Sequence, residues 1–378
     1  MDHKRQLEVL DEFFAMKDAR TTPMSDAVYR NPASDYLDPD QTAREVERLF
    51  KAMPQLVAFS TDIPTPGAYV TFEIAGVPYL LVRGEDGDAR CFVNACRHRG
   101  CPIADGSGET KRTFTCPYHA WVYDLHGGLV GMPLARDGFA ELTPEEFGLL
   151  SVPAREQDGF LFMHPAGEDF EIDDWLAGLA DDLAPLGAAN HVPLERETFT
   201  LDVNWKLALD TFLELYHVFS LHKDSLSPFL LSTPTPTHTF GPHGRVIGLN
   251  RNVKELEERP REEWSVVDRS IMIHLVFPNA ILVHMYDHFE LWRFSPIDGR
   301  PDQTAIELAF YVPRDRVDET EYFQKNWGLT VEIVFTEDFP RTRQIHKSLA
   351  AGALAEVVFG RNEPALAHFH AQVAQALA

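Results

Sequence analysis

The chain has 378 residues and a formal net charge of −24, with 58 Asp and Glu against 34 Lys and Arg. This surplus of acid argues against nucleic-acid binding, which depends on Lys and Arg. Hydrophobic residues make up 44% of the chain, enough for the cores of two ordinary domains. The sequence has no run of eighteen apolar residues, and its charged beginning does not resemble a signal peptide. We therefore expect no membrane span and a cytoplasmic location.

The first half of the chain predicts helices followed by a β-rich region. Residues 1–50 favour helical segments with polar breaks, and apolar residues at helical spacing predict a helix in 41–53. From about 55 to 165, alternating apolar and polar residues with turn signals such as Glu85-Asp86-Gly87 predict antiparallel strands. Residues 171–200 predict an acidic connector that begins as a helix.

The second half predicts a strand, a long helix, a Pro-rich loop, further strands and a C-terminal helical block. Four of these strands are predicted at residues 270–275, 280–285, 289–294 and 304–312. His284 and His288 lie four residues apart in this region, which is about 13 Å along a strand, so we do not expect them to bind one ion together.

Four metal-binding side chains occur in two tight pairs, Cys96-x-His98 and Cys116-x2-His119. This set is compatible with zinc, or with a [2Fe–2S] cluster in which two His replace two Cys on one iron. The one-residue gap of the first pair is tighter than the gap usual for zinc, so the spacing favours the cluster. Four residues that merely pack in a core would require two unrelated coincidences of spacing.

The segment Asn204–His222 predicts a second site. On a helix, apolar residues would cover nearly its whole surface, and Lys206, Asp210, Glu214 and His217 would form one narrow polar stripe. Burying these charges without partners would be costly, so a metal or a hydrogen-bonded network is expected around them. The alternative is that the stripe is the solvent-facing side of the helix.

His217 and His222 lie five residues apart, so both meet one ion only if the helix ends or bulges near Phe219-Ser220. With one carboxylate, two His ligands form the triad that leaves open positions on Fe(II) for oxygen and substrate. Asp338 is the predicted third ligand.

Asp338 falls on the apolar stripe of a predicted C-terminal helix, between Phe335 and Ile345, whereas Glu337 points off that stripe. A carboxylate aimed at a core favours a nearby cation. The alternative is a mid-helix acid with a local partner.

Both motifs resemble those of the large subunits of Rieske oxygenases, the ring-hydroxylating and demethylating non-haem iron enzymes. The family motif is C-x-H-R-G, a spacer and C-P-Y-H-x-W. It corresponds here to Cys96–Gly100 and Cys116–Trp121, with Ala120 where Gly is usual. The family also has a second motif: an acidic residue, three residues, a second acidic residue, two residues, a His, four or five residues and a second His. This motif corresponds here to Asp210–His222. The family's later Glu-Asp pair corresponds to Glu337 and Asp338.

The resemblance implies an α+β fold with two domains. One is an antiparallel β Rieske [2Fe–2S] domain, expected at residues 41–168. The other is a helix-grip (START/Bet v 1-like) catalytic domain with an antiparallel sheet and a long helix, expected at residues 169–378. Residues 1–40 are expected to form an N-terminal helical segment that packs on the catalytic domain.

The resemblance also assigns the site residues. It implies one [2Fe–2S] cluster per subunit on Cys96, His98, Cys116 and His119, and one Fe(II) on His217, His222 and Asp338. In the implied ring of three identical subunits, Glu214 would bridge His217 to His119 of a neighbouring subunit, and Asp210 would support this link. The family usually has Asp where this chain has Glu214, which lengthens the bridge by one methylene.

We therefore expect the oxygenase component of a multicomponent system. It would use O2, and electrons from a ferredoxin or flavin reductase, to hydroxylate or oxidatively demethylate a small organic substrate, expected to be aromatic. A quaternary ammonium compound is the alternative substrate. Two alternatives of other classes are an electron-transfer protein without oxygenase chemistry and a zinc hydrolase. The residues expected to line the pocket are Phe212, Phe219, Met272, Phe277, Asn279, Val283 and Met285.

Overall fold

Seven antiparallel strands form the largest sheet of the computed structural model, which describes residues 1–378. In spatial order they are His191–Leu201, Thr304–Pro313, His288–Pro296, Ala280–Met285, Ser270–Val276, His243–Leu249 and Thr237–Phe240. The four strands predicted between residues 270 and 312 are all present. The predicted connector is wrong in its second half, because residues from His191 onward form an edge strand that pairs with Thr304–Pro313.

Three smaller antiparallel sheets lie between residues 55 and 163. The first consists of Ser151–Val152, Ala89–Val93, Val77–Arg83, Ala68–Ile74 and Ser107–Glu109. The second consists of Ala154–Gln157, Phe160–Met163 and Gln55–Phe59, and the third of Thr113–Thr115, Val122–Asp124 and Leu129–Gly131. A separate core that includes Leu80, Phe92, Trp121 and Tyr123 joins the first sheet to the third.

Helices surround the large sheet and also lie near both ends of the chain. The α-helices are His3–Ala19, Ser34–Leu37, Pro39–Glu45, Ala135–Gly138, Ile172–Leu176, Ala180–Leu183, Trp205–Asp210, Thr320–Ile333, Phe339–Ala350 and Pro364–Leu377. A π-helical turn, Val334–Asp338, joins two of them into one long run. The combination of helices with antiparallel sheets confirms the predicted α+β fold class. None of the helices has the length and apolar character needed to cross a lipid bilayer.

The helix predicted over residues 204–222 is wrong in its length. It begins with Asn204, whose side chain accepts a hydrogen bond from the Lys206 amide, and it ends at Asp210. The chain then leaves the 3.6-residue period, so later apolar side chains do not stay on a buried surface. Tyr216 is 65% exposed and Phe219 is 71% exposed, in a short 3₁₀ turn.

The two faces of the large sheet pack against different partners, because successive side chains of a strand point to opposite sides. Met272 and Phe289 share a core with Val9 of the N-terminal helix. Ile273 and Trp292 share a second core with Phe339 of the long helical run. The cavity that carries the metal-ligand candidates lies on this second face.

Candidate functional site

The four predicted cluster ligands lie in two loops, and each loop is stabilised by its own backbone hydrogen bonds. The Cys96 amide donates to the Cys101 carbonyl at 2.8 Å, and the Cys116 amide donates to the Trp121 carbonyl at 2.8 Å. Ala120 has a φ of +54°, the left-handed conformation that favours glycine, at the position where related loops carry Gly. The loop geometry is therefore retained here with a non-glycine residue at some conformational cost.

The four side chains of these loops fit a two-iron cluster. Cys96 and Cys116 are 3% and 2% exposed, and neither forms a disulfide. The His98 and His119 rings lie 4.6 Å apart between centroids, and the buried Nδ1 of His98 has no hydrogen-bond partner in the protein. Two thiolates and two imidazoles are the donor set of a [2Fe–2S] centre in which two His replace two Cys on one iron.

The cluster loops contain a neighbour that sequence reasoning missed. The Tyr123 hydroxyl lies 3.3 Å from the Cys96 Sγ and accepts a hydrogen bond from the Arg97 amide at 3.0 Å. Burial, followed by the hydrogen bond to Cys96, raises the pKa of Tyr123. The hydroxyl therefore keeps its proton and is available as a donor to the sulfur, and such hydrogen bonds tune the potential of iron–sulfur centres.

The second predicted set converges on one point. His217, His222 and Asp338 offer ligand atoms that all lie within 4.8 Å of one another. The Asp338 Oδ1 lies 3.1 Å from the His222 Nε2 and 3.5 Å from the His217 Nε2. Because the chain leaves the helix at Asp210, both imidazoles reach the same place although they are five residues apart.

Two further carboxylates hold the other nitrogens of these rings. Glu214 contacts the His217 Nδ1 and accepts a hydrogen bond from the His217 amide at 3.0 Å. Glu337 lies 2.8 Å from the His222 Nδ1 and also accepts from the Ser225 hydroxyl. A carboxylate on the far nitrogen fixes the tautomer of a metal-binding imidazole and turns the Nε2 lone pair toward the ion.

Glu337 was not expected here, because on a regular helix it would point away from Asp338. The π-helical turn Val334–Asp338 brings both side chains onto His222. Burial acts to lower the pKa of His222, but hydrogen bonds to Asp338 and Glu337 outweigh burial and raise it. These carboxylates favour a positive charge at this point, which a divalent cation supplies.

Asp210 is hydrogen-bonded within the chain, and its support of a link between subunits stays a prediction. The Tyr36 hydroxyl donates to its Oδ2 at 2.9 Å, and the His370 Nε2 lies 2.9 Å from its Oδ1. Asp210 thus joins an N-terminal and a C-terminal segment of the chain to the start of the ligand segment.

A cavity of about 600 Å³ opens beside the second set of ligands. Of the predicted lining residues, Phe212, Val283 and Met285 line this cavity. The other four predictions are wrong. Met272 faces the opposite side of the sheet, because on its strand Ile271 and Ile273 face the cavity.

The side chains of the remaining three residues do not reach the cavity. Phe219 is exposed to solvent, Phe277 packs on Phe369, and the Asn279 side chain donates to the Phe294 carbonyl at 3.0 Å.

Two family models match the sequence. The model described as "Ring hydroxylating alpha subunit (catalytic domain)" matches residues 187–378, just over half of the chain, and the model described as "Rieske [2Fe-2S] domain" matches residues 53–145. Both sets of ligand candidates lie within the matched regions.

Relatives and solved structures agree with these matches. The glycine betaine monooxygenase oxygenase subunit of Chromohalobacter salexigens is 26% identical over 343 residues, which cover 80% of this chain and 76% of the relative. Choline monooxygenase, chloroplastic, of Atriplex hortensis is 26% identical over 365 residues, which cover 94% and 79%. The structure of the quaternary ammonium Rieske monooxygenase CntA has a TM-score of 0.78 at 20% identity, covering 93% of this chain and 96% of that one.

Proposed function

Since this chain belongs to the family of ring-hydroxylating Rieske oxygenase alpha subunits, we propose that its substrate is a small methylated ammonium compound. The protein is a Rieske-type oxygenase component with a [2Fe–2S] cluster and a mononuclear non-haem iron. It uses O2 and takes electrons from a reductase or ferredoxin. The predicted enzyme class and cofactors are therefore confirmed, and the zinc hydrolase and pure electron-transfer alternatives are wrong.

Three atoms that converge at the cavity wall carry the assignment of the iron site. We assign the iron ligands to the Nε2 atoms of His217 and His222 and to the Asp338 carboxylate, whose mutual distances suit one ion. The cluster ligands are assigned to Cys96, His98, Cys116 and His119. When bound, the iron supplies the activation of O2 with electrons that reach it through the cluster.

The protein side chains orient the site and exclude water from it. Glu214 and Glu337 hold the Nδ1 protons of the two imidazoles, which keeps both Nε2 lone pairs directed at one point. Apolar side chains such as Phe212 and Val283 line the cavity beside this point, so a substrate C–H bond is held there with little competing solvent.

The walls of the cavity support a cationic substrate. Its aromatic lining residues are Phe212, Phe229, Tyr286 and Tyr322. Apart from Asp338 and Glu337, which belong to the iron site, its carboxylates are Asp224, Asp287, Glu290 and Glu332. Aromatic rings and carboxylates together attract quaternary ammonium groups. The curated relatives described above are named for glycine betaine and choline, which are compounds of this class.

The assembly and the domain division are further parts of the proposal. A ring of three subunits would place His119 of one subunit near Glu214 of the next, as the resemblance implies. Tyr118 is 56% exposed and Tyr216 is 65% exposed, so each partner of this bridge has a large apolar neighbour that an interface would cover. Residues 41–168 and 169–378 remain the proposed domains, with residues 1–40 packed on the second.

The test is turnover of a compound panel with a generic reductase. One O2, two electrons and two protons convert an N-methyl group to N-hydroxymethyl and water, and the hydroxymethyl group then leaves as formaldehyde. We expect O2 uptake and formaldehyde release with trimethylammonium compounds, and neither with aromatic acids or methyl aryl ethers. Reactions without reductase give the background. Coupled O2 uptake with aromatic acids alone would replace the ammonium proposal with the aromatic one.

A further inference from the structure

The strand His288–Pro296 presents two buried polar side chains to the substrate cavity. His288 and Glu290 are 3% and 4% exposed, and both line the cavity. They lie two residues apart on one strand and therefore share a face. Neither belongs to the iron ligands or to the carboxylates that orient them, and Glu290 has so far counted only as one of the negative charges of the cavity.

Each of these side chains keeps unused hydrogen-bonding capacity. The His288 Nδ1 lies 3.0 Å from the Asp287 Oδ1, but its buried Nε2 has no partner. Glu290 accepts from the Thr330 hydroxyl at 2.7 Å and from the Trp292 indole N–H at 2.9 Å, one bond to each oxygen. A carboxylate oxygen accepts two hydrogen bonds, so both oxygens of Glu290 accommodate one more.

The two side chains do not satisfy each other. The His288 Nε2 lies 3.7 Å from the Glu290 Oε1, which is too long for a hydrogen bond. A buried N–H without a partner destabilises the empty site, and a ligand group that accepts its hydrogen bond removes this cost.

The donor role of the His288 Nε2 follows from its neighbours. Asp287 accepts one hydrogen bond from the His288 Nδ1–H and another from Arg316. Burial acts to lower the pKa of His288, but the hydrogen bond to Asp287 and the negative charges of Glu290 and Asp287 outweigh burial and raise it. Carboxylates thus flank both ring nitrogens, an arrangement that favours an N–H on each of them.

We propose that His288 and Glu290 form a subsite for a hydroxyl group of the substrate, at the end of the cavity away from the iron ligands. One hydroxyl accepts from the His288 Nε2–H and donates to Glu290, so it satisfies both groups at once. A carboxylate at the same place would face the like charge of Glu290. An alkyl group would leave both polar groups unpaired. This inference rests on the proposed ammonium substrate and adds a second recognition point to it.

Thr330, which bonds Glu290, precedes Asp338 by eight residues on the same helical run, so the His288–Glu290 pair and the iron ligands lie toward different ends of the cavity.

The first experiment compares three ligands of similar size on the purified wild-type holoenzyme by calorimetric titration. These are 2-hydroxyethyl-trimethylammonium, its n-propyl analogue, in which methyl replaces hydroxyl, and glycine betaine, which carries a carboxylate instead. We expect the hydroxyl compound to bind at least about tenfold more tightly than either of the others. Equal affinities would overturn the subsite, and this outcome does not depend on any variant folding.

The second experiment removes the donor. In His288→Leu, the hydroxyl compound and its propyl analogue are expected to bind with similar affinity, whereas His284→Leu is expected to retain the wild-type preference. His284 is the matched control because it is 4% exposed on the neighbouring strand and does not line the cavity. Preference retained in His288→Leu would remove His288 from the subsite.

The two proposals fail in different ways. If the enzyme oxidises trimethylammonium compounds without regard to the hydroxyl, the subsite is wrong and the proposed function stands. If it neither binds nor oxidises any of them, both are wrong.

Discussion

His222 is clamped at both ring nitrogens by consecutive residues. Glu337 lies 2.8 Å from its Nδ1, and Asp338 lies 3.1 Å from its Nε2. Both residues belong to the π-helical turn Val334–Asp338, which departs from the regular α-helical spacing. One turn thus supplies the proposed ligand and the group that orients a second ligand.

Replacement of Asp338 by Ala tests the iron site at the scale of one residue. We expect the visible spectrum of the cluster to persist, iron content to fall from about three to about two atoms per chain, and substrate oxidation to be abolished. Asn326→Ala is the control, because Asn326 lines the same cavity from the same helical run. Full iron content with surviving oxidation in Asp338→Ala would exclude Asp338 as a ligand.

Among the elements, the strand His243–Leu249 is joined to its surroundings by a neutral imidazole. The His243 Nε2 lies 2.8 Å from the Trp175 carbonyl, and its Nδ1 accepts from the Phe277 amide at 3.0 Å. This pairing requires one proton on Nε2 and none on Nδ1. Burial, the largest effect, lowers the pKa of His243 to about 4.

Acid should therefore weaken this connection. Because the unfolded chain binds a proton near pH 6.5 and the folded ring only near pH 4, stability is complete above pH 6.5 and falls as the pH drops toward 4. The full loss from this ring is about 3 kcal/mol. We expect His243→Gln to be less stable at pH 7 but to lose less stability on acidification, measured by denaturant unfolding.

The control for acid unfolding is His238→Gln, on the paired strand, where the ring bonds Glu12 instead of backbone groups. An unchanged pH slope in His243→Gln would show that other groups set the acid response.

How far the sequence predicts these elements depends on what determines each of them. The strands between residues 270 and 312 are predictable because apolar residues, many of them β-branched or aromatic, recur along them. The ligand motifs are predictable because Cys96-x-His98 and Cys116-x2-His119 lie close along the chain. The helix after Asn204 is too short to be predicted correctly, because its apolar pattern continues past Asp210 into residues held by tertiary contacts.

The π-helical turn explains another difference. Ile345 was predicted to face the core with Asp338, but it is 45% exposed, whereas Thr342 and His346 are buried. A π-helical turn inserts one residue and rotates everything after it by about 100°. Residue types alone do not predict such a turn. The sequence therefore correctly predicts that Asp338 is buried on the inner face, but it does not predict which of the following residues are buried.

For the whole molecule, the two metal-ligand sets adjoin separate cores. Cys96 and Cys116 belong to a small core of the first half, whereas Phe339, next to Asp338, belongs to the core of the large sheet. Both Glu214 oxygens contact His217 of the same chain. We propose that electrons pass from the cluster of one subunit to the iron of the next, as the resemblance to the family implies.

Mixed assemblies test this route. Cys116→Ser is expected to lack the cluster and Asp338→Ala the iron, so each is inactive alone. In a randomly mixed ring, about one junction in four joins an intact cluster to an intact iron site, and we expect about a quarter of wild-type turnover after co-expression. A co-expressed mixture as inactive as the separate variants would contradict transfer between subunits.

The contacts of Asp210 have a consequence for biosynthesis. Tyr36 and His370 meet on this carboxylate, and the strand Tyr29–Pro32 pairs with Glu356–Phe359. The ribosome makes one partner of each pair more than three hundred residues before the other. The packing around Asp210, at the start of the ligand segment, is therefore completed only after both segments have left the ribosome, so this part of the fold forms late in synthesis.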